Sequence, residues 1–270
     1  MKSLTIRITL TGMQKKSMDK IIDIHSHTLW GIDDGSSDFN ETMRMCFDAE
    51  DNGTSVLFVT PHLMYWEQAE ELFDIRNEKV AMLQDELLEN DSELIIKSGF
   101  EILCDDDIFS VKHFLPYTLN GSRYILIEFD FFKTTERDVA SWCDYLKSFG
   151  LIPIIAHPER YGFVQDDITV LNRFSDKGVL FQINAGSPAG DFGDEELQVS
   201  TQMINCGFAD FIGSDAHSNV GRNTEIDVLF EDYPYFCDMD SVELAACENP
   251  KFILKDGIYV PKRKKYLAKL

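Results

Sequence analysis

The stretch IIDIHSHTLWGIDDGSSD, residues 21–38, decides how this chain is read. An apolar run from Ile21 to Ile24 leads directly into His25 and His27, and Asp33 and Asp34 follow closely. Side chains alternate along a strand with period two, so an HxH at a strand end sets both imidazoles on one face, within reach of one ion. Alone the motif is weak, because a single buried histidine is more often a hydrogen-bonded core residue.

Working outward, six further β-rich apolar runs follow: SVLFVTPH (55–62), ELIIKSGFEI (93–102), YILIEFD (124–130), IPIIAH (152–157), VLFQINAG (179–186) and FIGSDAH (211–217). Helix-like segments lie between them, at 40–53, 67–91, 135–150, 166–178 and 195–207, several ending in Gly. Nearly continuous apolar strands alternating with helices predict a parallel sheet covered on both faces, hence an α/β fold. Seven or eight such units can close into a barrel. With no long linker, low-complexity segment or repeat inside it, residues 20–270 are expected to form one domain. Residues 1–19 read as an extension ahead of it. Their apolar stretch is broken by Arg7 and lacks a small-residue cleavage site, so neither a membrane span nor a signal peptide is predicted.

The polar residues that end these runs carry the function. His25 and His27, His62, Glu101, Glu128, His157, then Asp215 and His217 all fall at strand ends or beside them, and five of the six histidines are among them. Barrel enzymes build their sites from the ends of several strands at one face, so the joint pattern predicts a metal site. Nitrogen and oxygen ligands without thiolate suit Mn, Fe or Zn, and this many ligands exceed one tetrahedral ion, which favours two or three. Arg160 in HPERY and Arg222 in SDAHSNVGR would each pass alone as surface ion-pair partners. Beside a metal rim, a guanidinium fork suits phosphate oxygens, and the combination points to phosphoester hydrolysis.

Composition excludes other classes. A net charge of −22 opposes an extended nucleic-acid interface. The six cysteines form no CxxC pair, which reads as reduced thiols in a cytoplasmic protein. The residues six after them are Asn52, Ser110, Phe149, Ile212, Glu243 and Ile253, none of them Arg, so a cysteine phosphatase loop is excluded. The acidic run at 104–109 reads as a solvated loop, His113 as structural, and the basic PKRKKYLAKL (261–270) as a solvated tail or, less simply, a contact for anionic lipid or an acidic partner.

Taken together, DIHSHTLWGIDDGSSD, VTPH, GFEI, AHPERY, INAGS and GSDAHSNVGR resemble the metal-dependent bacterial protein-tyrosine phosphatases of the PHP superfamily, the CpsB, CapC and YwqE type of capsule and exopolysaccharide synthesis. The resemblance runs from about residue 20 to the end in the same motif order. It implies a distorted (β/α)7 TIM-like barrel with three divalent ions, usually manganese when active. By motif position, His25, His27, Glu101 and Asp215 would hold one ion. Glu101, Glu128 and His157 would hold a second, and His62, His217 and one acid of IDDG, Asp34 rather than Asp33, a third. Arg160 and Arg222 match the family's phosphate-binding arginines. The implied reaction is direct hydrolysis of phosphotyrosine in a protein, the tail of a bacterial tyrosine kinase, without a covalent enzyme intermediate; an oligomer is compatible with it. The segment after His62, LMYWEQAEEL, departs from the family's usual His- or Arg-rich start. Alternatives are a small-molecule phosphatase of the histidinol-phosphate kind, a phosphodiesterase, or a metal-stabilised regulatory module that binds without turnover.

Overall fold

A computed structural model describes residues 20–231 and 237–270; the extension expected at 1–19 lies outside the described residues. All seven apolar runs contain strands. They are β1 (Ile21–Asp23), β2 (Thr54–Val59), β3 (His62–Leu63), β4 (Ile95–Ser98), β5 (Glu101–Leu103), β6 (Tyr124–Glu128), β7 (Ile152–Ala156), β8 (Leu180–Asn184) and β9 (Phe211–Gly213). Every pairing is parallel, in a three-stranded sheet β1-β2-β4 and a six-stranded sheet β3-β5-β6-β7-β8-β9.

Two runs are interrupted for local reasons. SVLFVTPH divides into β2 and β3 at Pro61, which has no N–H to give the ladder. ELIIKSGFEI divides into β4 and β5 around Gly99, where a Cβ would lie 2.5 Å from Leu119 Cδ2. Backbone bonds carry on across both breaks: Gly99 N–H donates to Val59 O at 3.0 Å and Glu101 N–H to Pro61 O at 3.2 Å. At the other edge, Asp215 N–H donates to His25 O and His27 N–H to Ala216 O, both at 2.8 Å. The sheet is therefore curled, with continuations of its first and last strands in contact.

The main helices are α1 (Phe39–Asp51), α2 (Ala69–Glu89), α3 (Glu136–Ser148), α4 (Gly162–Asp166), α5 (Val170–Asp176) and α6 (Asp194–Cys206), followed by short α7 (Val228–Glu231), α8 (Met239–Glu243) and α9 (Pro250–Leu254). Asp38 caps α1 by accepting from Glu41 N–H, Thr135 and Asp138 form a reciprocal capping box on α3, and Gly207, at φ 74°, ends α6.

Period two organises the core. On β6, Tyr124 and Leu126 belong to one buried cluster, while Ile125 and Ile127 belong to another that includes Val139 and Leu146 of α3. Glu128 falls in register with Tyr124 and Leu126, as Gln182 on β8 does with Leu180. Strands buried on both faces thus deliver polar side chains at their last residues.

The C-terminal basic run is not a solvated tail. Arg263 pairs with buried Asp210 at 2.8 and 2.9 Å, donates to Gly207 O at 2.7 Å, and lies over the Phe208 ring at 4.4 Å. Lys269 meets Asp167 at 2.9 Å. The acidic body supplies the charge that draws the segment onto it. The acidic run at 104–109 is not a simple solvated loop: Asp105, Asp106 and Asp107 are exposed, but Cys104 and Ile108 are buried and Asp106–Ser110 form a short 3-10 helix; His113 is exposed.

Candidate metal centre

The sheet brings the strand-end residues to one rim. His25 and His27 follow β1, His62 opens β3, Glu101 opens β5, Glu128 closes β6, His157 follows β7, and Asp215 and His217 follow β9. Two of them hold left-handed backbone conformations, His157 at φ 34° and Asp215 at φ 52°. Such conformations cost on the order of 1–3 kcal/mol each in non-glycine residues and persist where the surroundings impose them, commonly at functional sites.

Three overlapping groups have ligand atoms close enough to share an ion: His25, His27, Glu101 and Asp215; His27, Asp34, His62 and His217; and His62, Glu101 and Glu128. Glu101 Oε2 is the hub, 3.2 Å from His25 Nε2, 3.2 Å from His27 Nε2 and 3.1 Å from His62 Nδ1. His157 stands outside these groups yet reaches the other oxygen of Glu101 at 2.8 Å. Asp34, with a side chain 72% exposed, lies 3.4 Å from His62 Nε2 and 3.5 Å from His217 Nε2. Glu101 Oε2 and His62 Nδ1 are buried and have no hydrogen-bond partner although they face each other at 3.1 Å. Nitrogen and carboxylate oxygen atoms that converge this closely at a buried rim are what a divalent cation satisfies, so these residues fit such ions.

Several orienting residues were not legible in the sequence. Asp33 accepts from His27 Nδ1 at 2.7 Å, from His62 N–H at 2.9 Å and from Gly35 N–H at 3.0 Å. It therefore fixes the ring whose Nε2 faces the rim. Gln182 Oε1 takes His25 Nδ1 at 2.8 Å, Gln182 Nε2 donates to Asn184 Oδ1 at 2.9 Å, and Asn184 Nδ2 donates to Asp215 Oδ2 at 2.7 Å. This amide chain ties a ligand of the first strand to one of the last. Buried Glu159 of HPERY accepts from Asn184 N–H and from Ser187 Oγ of INAGS, at 2.9 and 2.7 Å, locking the two motifs together.

Electrostatics follow from this crowding. Burial alone would depress His27 and His62, yet bonds to Asp33 and Glu101 raise His27 to about 9, and the adjacent Glu101 and Glu128 carboxylates raise His62 to about 11. Burial disfavours the Asp33 carboxylate, but His27 overrides it and brings Asp33 down to about 2. Burial and the charge of His27 bring His217 down to about 4. Glu101 and Asp215 stay ionised despite burial because imidazoles surround them. In the metal-free rim, protons hold the place of cationic charge.

The rim floors a cleft of about 660 Å³. Arg222 Nη2 meets Asp215 Oδ2 at 2.5 Å and Arg160 Nη1 meets the same oxygen at 3.4 Å. Phe192 lies under both guanidinium groups, at 5.2 Å from Arg160 and 6.0 Å from Arg222, and Phe131 stacks on Arg160 at 4.9 Å. Both arginines thus sit at the ligand rim. All six cysteines are buried and none lines the cleft.

The chain is similar to known proteins. CapC of Staphylococcus aureus is 33% identical over 222 residues, 78% of this chain and 83% of that protein. The tyrosine-protein phosphatase YwqE of Bacillus subtilis is 32% identical over 206 residues, 75% of this chain and 80% of that protein. Among solved structures, one from the work on YwqE of Bacillus subtilis and CpsB of Streptococcus pneumoniae, metal-dependent tyrosine phosphatases, matches with a TM-score of 0.76 at 27% identity, over 91% of this chain and all of that one. A dihydropyrimidinase from Brevibacillus agri shares the fold alone, at TM-score 0.52 and 10% identity over 87% of this chain and 71% of that one. The model of the family described as "Capsular polysaccharide synthesis, CpsB/CapC" matches residues 21–255, a span that contains every rim residue described above, and the chain belongs to that family.

Proposed function

We propose that this protein is a metal-dependent protein-tyrosine phosphatase that hydrolyses phosphotyrosine directly, without a covalent enzyme intermediate. The observation that carries this reading is the sharing of Glu101 between imidazoles at 3.1–3.2 Å, with two arginines converging on Asp215 at the same rim. The strand-end contacts support a distorted (β/α)7 barrel closed between β1 and β9, and the single matched span supports one domain over residues 20–270.

Three divalent ions, manganese with iron or zinc as substitutes, account best for the donor set. His25, His27, Glu101 and Asp215 would hold the first; Glu101, Glu128 and His157 the second; Asp34, His62 and His217 the third. His62 would serve the third ion, since its Nε2 faces Asp34 at 3.4 Å. When bound, the ions neutralise phosphate charge and acidify water, to a pKa of about 7 in the best-known zinc case.

The chain's own residues do the rest. Asp33 and Gln182 hold His27 and His25 with Nε2 turned to the rim. Arg160 and Arg222 leave Asp215 Oδ2 for the phosphate oxygens and hold them where charge develops. A tyrosyl leaving group, with a phenol pKa of about 10, departs without strong protonation, so no general acid is assigned. The substrate we infer is the phosphotyrosine tail of a bacterial tyrosine kinase in capsule synthesis. No helix among the described residues is long and apolar enough to cross a membrane, and six buried free thiols favour the cytoplasm.

Phosphate release from a phosphotyrosine peptide, a phosphoserine peptide and histidinol phosphate tests the reading on manganese-loaded protein. The phosphotyrosine peptide should be the best substrate. A preference for histidinol phosphate would reassign the protein to small-molecule hydrolysis.

A further inference from the structure

Beyond the ligands and arginines, the cleft has one side with no assigned role, and its chemistry is apolar. Met64 and Tyr65 follow β3, Leu72 lies on α2, Leu103 ends β5, and Phe132 follows β6, just past Phe131, which belongs to the arginine flank through its stack on Arg160. These elements surround three strands that are neighbours in the six-stranded sheet, β3, β5 and β6, whereas the arginines follow β7 and β9. The rim is thus polarised: guanidinium groups on one flank, a hydrocarbon and aromatic wall on the other, and the shared carboxylate Glu101 on β5.

Phe132 is the least expected member. Phe132 is 97% exposed and Tyr65 61%, so both present large rings to water. Phe132 is held there by a defined turn: Asp130 Oδ1 accepts from Phe132 N–H and Lys133 N–H, both at 3.0 Å, and Asp130 O accepts from Thr134 N–H at 3.3 Å. An exposed ring at the mouth of a binding cleft gains by being covered. The phosphate group of a substrate fixes what can cover it. With its oxygens on Arg160 and Arg222, its ester substituent must leave the rim, and the flank of β3, β5 and β6 is the apolar way out.

Resting on the phosphatase reading above, we propose that Phe132 and Tyr65 form an aryl subsite that stacks on the phenyl ring esterified to the phosphate and makes this chain select aryl over alkyl phosphates. The two rings are specificity-determining residues, and they act on binding of the ring, apart from the hydrolytic chemistry.

The test uses full-length manganese-loaded protein with Phe132→Ala, Tyr65→Ala and Phe132→Tyr. Because both rings are exposed, these variants should keep their fold and metal content. Phe132→Ala should raise KM for a phosphotyrosine peptide about tenfold with kcat within about threefold, the span expected for one aromatic contact. Phe132→Tyr should restore KM. A peptide carrying a non-hydrolysable phosphotyrosine mimic should bind Phe132→Ala about tenfold more weakly, while inorganic phosphate, which reports the arginine flank, should inhibit with the same constant to within about twofold. An unchanged KM, or an equal loss for phosphoserine peptide and for inorganic phosphate, would overturn the subsite. Wild-type protein that fails to hydrolyse phosphotyrosine at all would instead overturn the phosphatase reading, which separates the two failures.

Discussion

Asp215 shows at the scale of one residue how the site balances charge. Its Oδ1 faces His25 and His27 at 3.5 Å, while Oδ2 takes Asn184, Arg160 and Arg222. One carboxylate therefore stands between the rim imidazoles and the two arginines proposed to bind phosphate, with its backbone in the left-handed region. The two groups should separate on mutation. Arg222→Ala should keep its ions yet lose about 2–4 kcal/mol in kcat/KM for a phosphotyrosine peptide, the range for one preorganised donor. Lysine at 222 should recover only part, because a point charge cannot reproduce the fork. Elemental analysis beside kinetics checks this; wild-type kcat/KM in Arg222→Ala would reduce Arg222 to a partner of Asp215. At this scale the structure gathers the residues that end apolar runs at one rim, and Asp34 lies 3.4 Å from His62 and 3.5 Å from His217. Asp33 was weighed only as the alternative ligand to Asp34, and Gln182 and Asn184 escaped notice, because an orienting residue has no spacing of its own. Only the fold sets Gln182 against a histidine 157 positions away.

Among the elements, strand order and type were legible because nearly continuous apolar runs have few other uses. What failed to show was interruption. Nothing in ELIIKSGFEI announces that β4 stops and β5 restarts, since the break exists to let Leu119 pack over Gly99 and Arg76 of α2 donate to Gly99 O at 3.1 Å. That break sets the register from which Glu101 opens β5. Likewise the folding back of the basic C-terminal run depends on a buried carboxylate, Asp210, that sequence alone cannot place. Glycine at 213, the last residue of β9, has a clearer consequence. A Cβ there would lie 2.8 Å from His25 Cβ and 3.1 Å from Gln182 Nε2. Gly213→Ala should therefore push His25 out of its bond with Gln182, destabilising the fold by about 1–3 kcal/mol through overpacking and weakening metal retention. Thermal unfolding and metal content measured together decide; a variant with unchanged stability and full metal content would show that the close approach is not needed.

For the whole molecule, the curled sheet and the charged groups it gathers at its rim act as one electrostatic unit. His27 gains a proton partner on folding, so its contribution to the metal-free fold is complete below the ordinary imidazole value of 6.5 and is lost as pH rises through about 9. Metal-free protein should accordingly lose stability between those limits. Protein loaded with ions, whose ligands must be deprotonated, should not, and loading at neutral pH should release on the order of two protons, from His27 and His62. Melting curves of both forms across that window, with calorimetry in two buffers, give the answer; parallel curves would contradict the assignment of these imidazoles as ligands. The claim on which everything else depends is that the rim hydrolyses phosphotyrosine only with its ions in place. Phosphate release from a phosphotyrosine peptide should vanish when the protein is stripped by chelation and should return on adding manganese, with calcium a poor substitute because it prefers all-oxygen sites. Undiminished turnover by protein shown by elemental analysis to be metal-free would contradict the account.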